Sequence, residues 1–62
     1  MTLKTEPNLP EHDVFYARLM AAHDGLSTGE SLTLNARLVL LLANHIGDMS
    51  VLEDAIATAQ QA

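Results

Sequence analysis

From Ser27 to Ile46 the apolar positions do not keep to the single stripe of an ordinary surface helix; they run most of the way round. On a wheel of 100° per residue Thr33, Asn44, Arg37 and Glu30 share one narrow polar strip, with Leu40 and Leu41 flanking it. Leu38, Val39, Leu42 and Ile46 fill the far side, and Asn35 projects among them, which predicts a buried amide. The apolar surface of this helix exceeds what one short neighbour covers, and the excess points to a partner. No single packing face buries Leu38, Leu40, Leu41 and Leu42 together, so at least one of the leucines beside the polar strip faces outward in a monomer.

The signals at the ends of this segment are local and specific. Ser27-Thr28-Gly29-Glu30 reads as a capping box, in which the Ser27 hydroxyl and the Glu30 carboxylate each accept from the other residue's N–H. Gly47 is a stop, giving a helix over 28–46. Upstream, Pro10 suits a first helical turn and opens a predicted helix 10–24, with Phe15, Leu19 and Ala22 at the centre of its apolar face and Tyr16, His12 and His23 beside it. Gly25 in the left-handed conformation would end that helix, with Leu26 folding back as in a Schellman motif. The short connection predicts an antiparallel hairpin. Downstream, either Asp48 or Ser50 caps a helix over about 49–60; Ser50 with Glu53 offers a second capping box, and the choice stays open. Its apolar face is Val51, Leu52, Ala55, Ile56 and Ala59. Residues 1–9, with Pro7 and no periodicity, form an extended arm. The fold expected is all-α: a single helical domain over 10–62, with helices 1 and 2 a hairpin, a shorter third helix, and dimerisation through helix 2.

Size sharpens the need for a partner. Sixty-two residues lie near the limit for independent folding, and with no cysteine neither disulfides nor thiolate zinc sites can brace the chain. Oligomerisation is the remaining brace. One Phe, one Tyr and no Trp leave an aliphatic, alanine-rich core. A net charge of −5, with only Lys4, Arg18 and Arg37 as cations, argues against nucleic acid and against an anionic membrane surface. The longest apolar run, Leu38 to Ala43, is far short of a membrane span, and the first residues lack the apolar core of a signal peptide. A cytoplasmic location is expected.

The candidate chemistry is sparse. His12 and His23 share a face but lie roughly 16 Å apart along a helix, too far to hold one metal ion. His45, in the last turn of helix 2, suits the negative end of the helix dipole. A second reading makes Asn44, His45 and Asp48 a polar cluster that contacts a ligand or partner. Ser27 and Ser50 already serve as caps, and no catalytic triad or cofactor motif is legible, so no enzyme activity and no cofactor are expected. Asn35 needs hydrogen-bond partners in an apolar setting. Ser31, Tyr16 and the Asn35 of a second chain are the candidates. Arg37 reads as solvated.

The run Leu34-Asn35-Ala36-Arg37-Leu38-Val39-Leu40-Leu41-Leu42-Ala43-Asn44-His45-Ile46-Gly47-Asp48, behind an acidic helix with Phe15-Tyr16, resembles a small proteobacterial family of unknown function. The resemblance covers most of residues 9–60. It implies a cytoplasmic helical protein with no established activity, and it suggests a flavin-dependent oxidoreductase as partner. The expectation is a protein–protein interaction module, a homodimer or small accessory subunit. Asn35, Leu38, Leu40, Leu41 and Leu42 form its expected interface. The alternative is a ligand- or metal-binding protein whose site is completed at a dimer interface by Asn44, His45 and Asp48, or by His12 and Tyr16.

Overall fold

The computed structural model describes residues 2–61 and gives three helices: α1 (His12–Ala22), α2 (Thr28–Ile46) and α3 (Met49–Ala59), with no strand among the described residues. Ahead of α1 the chain has no regular secondary structure up to residue 9. Met1 in the expected arm and Ala62 at the end of the expected domain lie outside the described residues.

α2 has the bounds that its capping signals predict. The Ser27 hydroxyl accepts from the Glu30 N–H at 3.2 Å, and a Glu30 carboxylate oxygen accepts from the Ser27 N–H at 2.9 Å. At the other end Gly47 takes φ +63° while its N–H donates to the Ala43 carbonyl at 2.9 Å. Both ends are fixed by bonds within a few residues, which is why they are legible in the sequence.

α1 is shorter than expected by two residues at each end. Pro10 and Glu11 form a turn, closed by the His12 N–H on the Leu9 carbonyl at 3.2 Å, instead of the first turn of the helix. At the far end the His23 and Asp24 N–H groups tighten onto the carbonyls three residues back, Met20 and Ala21. The Leu26 N–H then donates to the His23 carbonyl at 3.1 Å around Gly25, at φ +75°. This turn stands where a Schellman motif was expected.

α3 is capped by Asp48. One carboxylate oxygen accepts from the Ser50 N–H at 3.0 Å, the Val51 N–H at 3.3 Å and the Ser50 hydroxyl at 2.7 Å. Ser50 thus supports the cap and does not supply it.

Packing is uneven. α3 folds back on α2 and there buries Val51, 6% exposed and the one buried core residue among those described; Leu52 and Ala55 are half-buried. α1 behaves differently, since no Cα of α1 comes within 8 Å of a Cα of α2. The connection is short, but α1 and α2 do not pack along each other as the expected antiparallel hairpin requires. The radius of gyration is 13.1 Å, against about 10.5 Å for a compact chain of this length. The accessible surface is 5451 Å², where a compact monomer of the same mass exposes about 3900 Å².

Candidate functional site

The divergence of α1 and α2 leaves an open groove of about 1000 Å³. Phe15 and Leu19 of α1 form one wall, Leu34, Leu38 and Leu41 of α2 the other, and Leu26 in the connection closes one end. Coverage is partial: Leu19, Leu26, Leu34 and Leu38 are half-buried, while Phe15 is 45% exposed and Leu41 69%. Such a surface is apolar and open to solvent.

The groove's charge is not that of the chain. Arg18 of α1 and Arg37 of α2 both line it, two of the three cations in a sequence with eight acids. Among the described residues neither has a hydrogen-bond or ion-pair partner. The one acid in the lining, Glu30, has its carboxylate on the Ser27 N–H. That backbone bond, followed by the Ser27 hydroxyl, holds Glu30 below the usual carboxylate range. The polar strip of α2 is thus part of a groove wall, and Arg37 lies along an apolar floor that its stem can cover. Sequence reasoning does not find Arg18, because its place beside Phe15 on the α1 wheel gains meaning only once α1 and α2 separate.

A smaller apolar recess of about 330 Å³ lies on the opposite side of α2, where Val39, Leu42 and Ile46 meet Met49 and Ile56. Met49 is 68% and Ile56 59% exposed, so α3 covers α2 only in part. Leu40, 70% exposed, belongs to neither depression. Of the expected interface leucines, Leu38 and Leu41 lie in the groove, Leu42 in the recess, and Leu40 between them.

Asn35 corrects an expectation. It is exposed in this chain, although Ser31, Leu34 and Leu38 on the same side of α2 are half-buried. Within the chain its partner is neither Ser31 nor Tyr16 but His23, whose Nε2 lies 3.0 Å from Asn35 Oδ1. The Leu19 carbonyl, 2.7 Å from His23 Nδ1, requires that nitrogen to be a donor. In an imidazolium Nε2–H then donates to Asn35 Oδ1. In the neutral ring Nε2 accepts, and a half-turn of the Asn35 amide keeps the bond through its NH2 group. The pair ties the end of α1 to α2 where the helices begin to diverge.

The polar cluster does not assemble. Asp48 is turned into α3 as its cap; the Ser50 hydroxyl, then the Val51 N–H, hold its carboxyl below the usual range. Asn44 and His45 are exposed and make no side-chain hydrogen bond among the described residues. His12 sits apart, with Nδ1 3.3 Å from the Leu9 carbonyl and Nε2 3.1 Å from Asp13. No three histidine, aspartate or glutamate side chains among the described residues come together as a metal-binding group. No described helix is long and apolar enough to cross a membrane.

The family model described as Protein of unknown function (DUF2783) matches residues 3–61. No curated protein and no solved structure matches the chain.

Proposed function

We propose a binding role for this chain, which belongs to the DUF2783 family: it is a helical protein–protein interaction module, non-enzymatic, and completed by self-association. The observation that carries this reading is surface. The chain exposes 5451 Å², about 1500 Å² more than a compact monomer of its mass. Covering most of that surplus on two chains corresponds to the 2,000 Å² or more typical of obligate dimers. In the assembled state α1 and α2 act as the arms of an antiparallel hairpin around the partner, and the leucines of α2 supply the central contact.

The brace supplied by association makes up for a small core, since the one buried side chain among the described residues cannot hold three helices. Sedimentation at micromolar concentration, with melting measured over a hundredfold range of protein concentration, tests this. A dimer whose melting temperature rises with concentration is expected. A monomer with a concentration-independent transition would overturn self-association and leave the same surface to a different protein.

A further inference from the structure

We propose that the α1–α2 groove receives α1 of a second copy of this chain, each copy's first helix lying in the other's groove. This rests on the self-association proposed above and names its contact.

The argument begins with α1 itself. Phe15 and Leu19 face the groove, yet Val14, Tyr16 and Met20 project in other directions and are 53%, 63% and 44% exposed. A helix apolar around most of its circumference is stable when it is covered on more than one side. In the isolated chain α1 is partly covered on one side only, where Leu19 is half-buried, and is hydrogen-bonded to α2 only at its end through His23 and Asn35. An exchange of first helices gives α1 a second covered face and fills the groove with the same contact, as an isologous twofold interface requires.

Dimension and charge favour the same occupant. Eleven residues of helix are about 16 Å long and, with side chains, roughly 10–12 Å across. An open-sided groove admits such a rod, whereas a small ligand is usually held in an enclosed pocket. Arg18 and Arg37 favour an acidic occupant, and α1 has acids at both ends, Glu11 and Asp13 at its start and Asp24 just past its finish. α3 fits less well, because its most buried side, Val51, Leu52 and Ala55, is already turned to α2.

The natural chain has no cysteine, so single cysteines report contacts without background. Leu38→Cys marks the groove, Val14→Cys and Ala21→Cys mark α1, and Leu40→Cys marks the outer side of α2. A short bismaleimide added to an equal mixture of the Leu38→Cys chain with the Val14→Cys or Ala21→Cys chain should give a covalent heterodimer in at least one mixture. A dimer that cross-links only through Leu40→Cys would overturn the exchange of first helices while leaving self-association intact. A monomer that cross-links in no mixture would overturn both. The unsubstituted protein supplies a second readout: on dilution, NMR signals of Phe15, Arg18 and Arg37 should shift together, and shifts confined to α3 would overturn the proposal.

Discussion

The sharpest prediction sets Leu41→Ala against Val51→Ala. Val51 is 6% exposed, and alanine removes two of its carbon groups, worth about 1.5 kcal/mol at roughly 0.8 kcal/mol each. Any cavity left behind adds to this loss. With about 4–8 °C per kcal/mol for a domain of this size, Val51→Ala should lower the melting temperature by roughly 6–12 °C. Leu41 is 69% exposed. In an isolated chain only about a third of its three-carbon loss counts, roughly 0.8 kcal/mol. In an assembly that covers the groove the same substitution costs about 2 kcal/mol or more per chain. Helix melting followed by circular dichroism at one micromolar concentration ranks the two variants. The expected order places Leu41→Ala at or below Val51→Ala, with the gap closing on dilution as dimer is lost. If Leu41→Ala stays within a few degrees of the unsubstituted protein at every concentration, the groove is not covered and the surface argument fails.

Gly47→Ala and Gly25→Ala place a Cβ on left-handed residues with ordinary or open space around it. Each should lose about 1 kcal/mol through backbone strain alone, measured by urea unfolding. The folded-state pKa values of Glu30 and Asp48 lie below their unfolded values. Their contribution is therefore complete above the unfolded carboxylate range and fades as pH falls through the folded values; an NMR titration finding either group at or above a model peptide's value would refute this. A double-mutant cycle of His23→Ala with Asn35→Ala should return a coupling of about 0.5 kcal/mol, the low end for a hydrogen bond, because the pair is open to solvent. Zero coupling would show that the two side chains do not hold the connection together.

How much of this is legible in the sequence depends on the range of the interaction involved. The bounds of α2 are legible because Ser27, Glu30 and Gly47 act on backbone within one turn. α1 overruns its true ends on the sequence reading because Pro10 suits a turn as well as a helix, and because the tightening at His23 depends on where the chain goes next. Asn35 shows the limit of a helical wheel: a wheel gives direction, yet Asn35 is exposed while Ser31, Leu34 and Leu38 on the same side are half-buried. The apolar excess of α2 is plain from Leu38 to Leu42, but the groove and its two arginines arise from the angle between helices. No local pattern encodes that angle.

That Val51 is the single buried side chain among the described residues has a consequence for the protein's lifetime in a cell. Nearly all the order in one chain is local, so an unassembled copy opens readily and presents its backbone to proteases. A chain that is stable only when paired is cleared fastest when scarce, and its half-life then rises with its own abundance. Degradation followed across a range of expression levels would register this as a threshold, below which the protein does not accumulate.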